Sequence, residues 1–179
     1  VLAQASSWQA QGLPAISMAV NLSTAQLNAN LPKQIKKLLE VHQLPASLLE
    51  LEVTETLLMT AQNEAITILS ELKATGVRIA LDDFGTGYSS LSYLSRLPLN
   101  LLKIDKSFVD GLPNRKDDVV IAQLIIRMAD ELDIITLAEG VETQEQLDFL
   151  KEAGCHLIQG YLLARPLPPE EVAALLRKV

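Results

Sequence analysis

The chain has 179 residues, 49% hydrophobic and 21% charged, enough for one domain with a sizeable core. Its net charge of −7 excludes a basic face that coats a nucleic acid polymer, and its single cysteine, Cys155, excludes an internal disulfide. No apolar run is long enough to cross a bilayer, so no membrane segment is expected within it.

In chain order, Val1, Leu2, Ala5 and Trp8 have helical spacing with no cap before them, so the chain is expected to open inside a helix. A strand-length apolar run at 16–20 ends on Asn21, and a helical pattern at 34–41 sets Ile35, Leu38 and Leu39 on one side. A second strand is expected at 48–53, where Glu50 and Glu52 alternate with Leu49, Leu51 and Val53. A helix at 65–73 leads to a third strand at 77–81, which runs into Asp82 and Asp83. The fourth strand, 101–104, has Lys103 and Asp105 on either side of Ile104. A strong helix at 119–132 carries Ile121, Leu124, Ile125 and Met128 on one face and precedes a fifth strand at 134–138, followed by Glu139. The spacing of Thr143 and Gln146 predicts a capping box for a helix at 143–153, which Gly154 stops. Cys155 and His156 read as packing residues at the start of a last strand, 156–163, that contains Gln159.

Alternating βα units imply a parallel sheet. A (β/α)₈ barrel of about 250 residues spends about 31 on each unit, so a chain of this length holds about six. The expected fold is α/β, a TIM-like (β/α) barrel with about six of its eight strands: one domain over 1–179, incomplete at its N-terminus, with the remaining strands upstream of Val1.

Each expected strand carries a polar residue that an ordinary core strand does not need. With Leu49, Leu51 and Val53 facing outer helices, strand alternation turns Glu50 and Glu52 inward. The same rule turns Asp82, Lys103 and Asp105 inward, and one barrel mouth then collects Asn21, Glu52, Asp82, Lys103, Asp105, Glu139 and Gln159. Carboxylates that converge disfavour one another's ionisation, and hard divalent cations resolve that conflict. Oxygen donors without Cys or His favour Mg²⁺ or Mn²⁺ over Zn²⁺. The neighbours Asp82 and Asp83 suit two ions, a common arrangement for phosphodiester hydrolysis.

Six strings, in order, resemble the EAL-domain phosphodiesterases of bacterial cyclic di-GMP signalling: Val20-Asn21-Leu22-Ser23, Glu52-Val53-Thr54-Glu55, Asp82 to Ser90 (DDFGTGYSS), Lys103 to Phe108 (KIDKSF), Ala138 to Thr143 (AEGVET) and Gln159-Gly160-Tyr161. The resemblance implies hydrolysis of cyclic di-GMP to linear pGpG with Mg²⁺ or Mn²⁺, on a two-metal site. It implies Asn21, Glu52 and Asp82 as ligands of one ion and Asp83 of the other, Lys103, Glu139 and Gln159 as catalytic residues, and Asp105 and Glu142 as supporting ones. Phe84, Gly85, Thr86 and Gly87 resemble part of a loop that ties the metals to a dimer interface. Glu55 resembles the residue that holds this loop, or else is a simple helix cap. Tyr161, Arg165 and Pro166 lie where family members shape the nucleotide pocket, a surface loop being the other reading of Arg165-Pro166. The family's Glu-Ala-Leu string, which supplies a further metal ligand, is absent here, so this stretch alone is expected to hydrolyse poorly. The resemblance also implies a homodimer, a cytoplasmic location with membrane anchoring open to the parent protein, and an attached sensory or GGDEF-type domain. A cyclic di-GMP receptor without turnover is the alternative. An unrelated metal-dependent lyase would explain the carboxylates and the lysine but not the 82–90 string.

Overall fold

The computed structural model describes residues 1–85 and 91–178. Its strands are β1 (Met18–Asn21), β2 (Leu49–Thr54), β3 (Arg78–Phe84), β4 (Leu101–Ile104), β5 (Ile135–Ala138) and β6 (Leu157–Ile158). They pair in parallel and in sequence order, as the βα alternation predicts. Helix α1 (Leu2–Ala10) precedes β1, α2 (Leu31–His42) joins β1 to β2, and α3 (Glu55–Ala74) joins β2 to β3. The short α4 (Leu91–Leu94) precedes β4, α5 (Lys106–Val109) and α6 (Lys116–Glu131) follow it, α7 (Gln144–Glu152) leads to β6, and α8 (Pro169–Leu176) ends the fold. The sheet curls into a half-barrel, and among the described residues β1 and β6 each pair on one side only.

Strand alternation sorts the two faces. Leu49, Leu51 and Val53 are at most 2% exposed and share the main core with Leu57, Leu58, Leu69 and Leu72 of α3. Glu50 and Glu52, between them in sequence, point the other way and are also buried. Helix α3 begins well before the predicted 65–73 because the Thr54 hydroxyl caps it, accepting from the Leu57 N–H at 3.4 Å. The predicted capping box of α7 forms between Thr143 and Gln146.

Three local expectations are corrected. Leu38 is 44% and Leu124 61% exposed, because α2 turns Ile35 and Leu39 inward and α6 turns Ala122, Ile125, Ile126 and Ala129 inward. His156 is not a core residue: it is exposed, with Nδ1 3.0 Å from the Oγ1 of the buried Thr136. The last strand does not run through 163. Beyond Ile158 the chain turns across the β5 exit: the Val141 N–H donates to the Gln159 carbonyl at 3.1 Å and the Leu162 N–H to the Val141 carbonyl at 3.0 Å. Gly160 sits at this crossing, where an added Cβ would lie 2.1 Å from the Val141 carbonyl oxygen.

Helix α8 returns to α1, where Trp8, Leu13 and Ala173 form a small second core, and the Arg177 guanidinium donates to Gln11 Oε1 at 3.4 Å. Trp8 is thus a packing residue, as its spacing predicts.

Backbone cannot yield to a methyl group as a flexible side chain can. Gly160→Ala is therefore expected to destabilise the protein by about 1–3 kcal/mol in chemical denaturation. Unchanged stability would show that the 141–160 contact is not tight.

Candidate metal centre

Leu102 and Ile104 of β4 are fully buried against the helices, so Lys103 between them points to the opposite face, where it is 5% exposed. An ammonium there needs three acceptors. It has them: Glu52 Oε1 of β2 at 2.7 Å, Asp82 Oδ1 of β3 at 3.0 Å and Glu139 Oε1, just past β5, at 2.8 Å. Register explains the meeting. Glu52 lies level with Ala80, and Ala80 with Leu101, while Asp82 and Lys103 each stand two residues further along the same face. Burial by itself pulls the Lys103 ammonium toward the neutral form. The bonds from Glu139, Glu52 and Asp82 outweigh that, and its pKa stays above the ordinary lysine value. Burial also lifts the Glu139 carboxyl above its usual range, with Lys103 opposing.

Alternation alone would send Asp82 and Asp83 to opposite faces. A bulge prevents it: the β3–β4 ladder pairs Leu81 with Leu102 and then Phe84 with Ile104, so β3 spends one extra residue. Asp83 absorbs the distortion at φ 54°, a left-handed conformation that Asp tolerates better than most residues, and its N–H donates to Asp82 Oδ1 at 3.0 Å. Carboxylate oxygens of Asp82, Asp83 and Glu139 consequently lie within 4.8 Å of one another. Desolvation, then the Asp82 and Asp105 carboxylates, raise the Asp83 pKa above its ordinary value. Hard oxygen donors, converging and mutually repelling, fit a Mg²⁺- or Mn²⁺-type ion.

The other predicted residues surround this centre at different depths. Asn21 ends β1 directly opposite Glu52 in the register, on the exposed rim. Asp105 lies outside the lysine cluster and caps α5, accepting from the Ser107 N–H at 3.0 Å. Glu142 also lies outside the cluster, 2.8 Å from the Lys106 ammonium. Gln159 is held by its backbone, the N–H donating to the Ala138 carbonyl at 2.8 Å, and lines an open cleft of about 500 Å³ with Glu139, Tyr161, Arg165 and Pro166. There the Arg165 guanidinium stacks 4.4 Å from the centre of the Tyr161 ring.

Glu55 is not the cap of α3, since Thr54 fills that position; it is 4% exposed and, among the described residues, neither of its oxygens has a hydrogen-bond partner. Phe84 is buried, and Gly85, at φ +98°, lies against Phe108 of α5, whose Cε2 would be 2.7 Å from an added Cβ. Thr86 and Gly87 lie outside the described residues.

Two features escaped the sequence reading. Lys106 bonds Asp110 at 2.7 Å as well as Glu142, which pushes its pKa up to about 12, and it forms part of the cleft wall. The four-residue spacing of Lys106 and Asp110 is the signal that could have found the first bond. Deeper on the inner face, Arg78 Nε sits 3.4 Å from Glu50 Oε2. Desolvation raises the Glu50 pKa, and Arg78 partly offsets it.

The model of the family described as EAL domain matches residues 1–166. The chain belongs to the EAL domain family. It is 48% identical over 163 residues to the cyclic di-GMP phosphodiesterase NbdA of Pseudomonas aeruginosa, covering 90% of this chain and 21% of that protein. Among solved structures, the PaMucR phosphodiesterase in complex with c-di-GMP superposes with a TM-score of 0.89 at 43% identity, over 96% of this chain and 70% of that one. A manganese/cy-diGMP complex of Klebsiella pneumoniae BlrP1 superposes with a TM-score of 0.83 at 31% identity, over 92% of this chain and 42% of that one. The chain spans about a fifth of the length of the curated relatives it matches. These solved EAL domains are TIM barrels, so the α/β barrel class expected from the alternation holds.

The bulge separates charge from backbone at Asp83. Asn also tolerates the left-handed region, so Asp83→Asn should unfold within about 1 kcal/mol of the parent protein, whereas β-branched Asp83→Val should lose about 1–2 kcal/mol more. Equal stability of the two variants would contradict the left-handed assignment.

Proposed function

We propose that this EAL domain hydrolyses one phosphodiester bond of cyclic di-GMP, giving linear pGpG, at a site holding two Mg²⁺ or Mn²⁺ ions. The observation that carries the reading is the meeting of Asp82, Asp83 and Glu139 oxygens above a buried lysine, at the C-terminal ends of the strands and beside a cleft. The relatives with phosphodiesterase names, and the neighbours that hold c-di-GMP and manganese, support the substrate and the ion class.

Bound cations would supply positive charge for the phosphate oxygens and a more acidic water. Asn21, Glu52 and Asp82 would hold one ion and Asp83 the other. Lys103, Glu139 and Gln159 would position the attacking water, with Asp105 and Glu142 supporting their loops. In the cleft, Arg165 offers a guanidinium to phosphate and Tyr161 a ring face to a base, and Pro166 shapes the rim. Glu55, buried beneath the exit of β2, would brace the segment that contains Phe84, Gly85, Thr86 and Gly87, and through it a homodimer contact. We further propose that 1–179 is one domain whose barrel is completed by preceding strands, in a cytoplasmic setting and joined to sensory or GGDEF-type domains.

Asp82→Ala in the full-length protein should lower turnover of cyclic di-GMP by about a thousandfold or more, and chelation of divalent ions should abolish it until Mn²⁺ or Mg²⁺ is returned. Turnover that survives both treatments would remove Asp82 and the ions from the mechanism. Tight cyclic di-GMP binding by the unmodified, metal-loaded protein without any turnover would establish a receptor instead.

A further inference from the structure

Lys106 and Glu142 belong to the wall of the cleft that also holds Tyr161 and Arg165, and their side chains are 46% and 47% exposed. An ammonium has three N–H donors. Asp110 Oδ1 takes one of those on Lys106 at 2.7 Å, and Glu142 Oε1 takes another at 2.8 Å. Among the described residues no group takes the third, and none bonds Glu142 Oε2. The two carboxylates keep the ammonium charged, with its pKa pushed up to about 12. The Glu142 N–H donates to Gln146 Oε1 at 2.8 Å, so its carboxylate projects from backbone that α7 holds. One cleft therefore offers a spare donor beside a spare acceptor, together with an aromatic ring that is 52% exposed.

We propose that the Lys106–Glu142 pair reads the Watson–Crick edge of a guanine and sets the base specificity of the cleft. That edge presents the O6 acceptor beside the N1–H and N2–H₂ donors. The ammonium donates to O6, and the carboxylate accepts from N1–H and N2–H₂. Adenine reverses the pattern: its N6–H₂ donor meets the ammonium, and its N1 lone pair meets the carboxylate. Each mismatch sets like against like and leaves polar groups unpaired, which is how a site rejects a wrong partner. Asp110, one turn along from Lys106, steadies the ammonium before a base arrives, so less freedom is lost on docking. The Tyr161 ring supplies the stacking that any base accepts, and the charged pair supplies the choice among bases.

This inference rests on the reading of cyclic di-GMP as the ligand, given under the proposed function. Its test is the preference for guanine over adenine, which a purely structural role would not move. In the full-length protein with Mn²⁺, the KM for cyclic di-GMP is compared with the inhibition constant of cyclic di-AMP in the same reaction. The parent protein should favour cyclic di-GMP by about a hundredfold or more. Glu142→Gln keeps the shape of the side chain but presents a carboxamide, which can accept from adenine N6–H₂ and donate to N1 at once. This variant should raise the KM about tenfold and tighten inhibition by cyclic di-AMP, so the preference shrinks by more than about tenfold. Lys106→Met keeps the stem over Gly140, removes the donor to O6 and should shrink the preference as well. Should Glu142→Gln fail to fold, Lys106→Met alone decides. An unchanged preference in either folded variant would overturn the proposal and leave the hydrolase reading standing. Binding of cyclic di-GMP without turnover would end the hydrolase reading, and calorimetric Kd values of the two dinucleotides would then decide the proposal by the same comparison. Neither binding nor turnover of cyclic di-GMP by the parent protein would overturn both.

Discussion

A buried ammonium that must find three acceptors constrains this structure more tightly than any other contact. Lys103 stands on β4, and its partners stand on β2, on β3 and just beyond β5. None is near another in sequence. Each strand must end at the right height, with the right parity, for the four side chains to meet. A slip of one residue in β4 would exchange Lys103 with Leu102 or Ile104 and bury an unpaired charge among the helices. The cluster thus checks the register of four consecutive strands and defines the floor of the mouth above it.

Much of this was legible in the sequence because parallel barrels write it in a simple code. In Leu49-Glu50-Leu51-Glu52-Val53, the apolar set faces helices and the acidic set faces inward, and a period of two is enough to say so. Glu52, Asp82, Lys103 and Glu139, which meet in the structure, were legible for the same reason: each lies at or near the end of a strand. What stayed illegible depends on single-residue departures from regular geometry. Nothing in Asp82-Asp83 announces an extra residue in the ladder, yet the bulge brings both carboxylates to one side. The apolar string after His156 reads as strand, but the crossing at Gly160 ends β6 after two residues. Leu38 and Leu124 have helical spacing, but a stripe read without its partner surface is ambiguous by about one position.

Around the floor, the supporting parts make a second ring. Gly140, at φ +69°, leaves no room for a Cβ beneath the Lys106 side chain, whose Cγ would be 2.4 Å away, and the Lys106 ammonium then reaches Glu142. From the other side, Gln146 of α7 accepts from the Glu142 and Thr143 N–H groups at 2.8 and 3.0 Å and donates to the Val109 carbonyl at 3.2 Å. The segment that carries Glu139 is therefore clamped between α5 and α7. That clamp is local and polar, where the strand register is global and apolar, and the chemistry proposed for the mouth needs both.

The central claim is that these strand ends form a seat for divalent cations. Anomalous scattering from crystals of the protein grown with Mn²⁺ tests it most directly. The account predicts a peak within coordination distance of Asp82 and at least one of Asp83 and Glu139. Manganese bound only elsewhere on the molecule would contradict it.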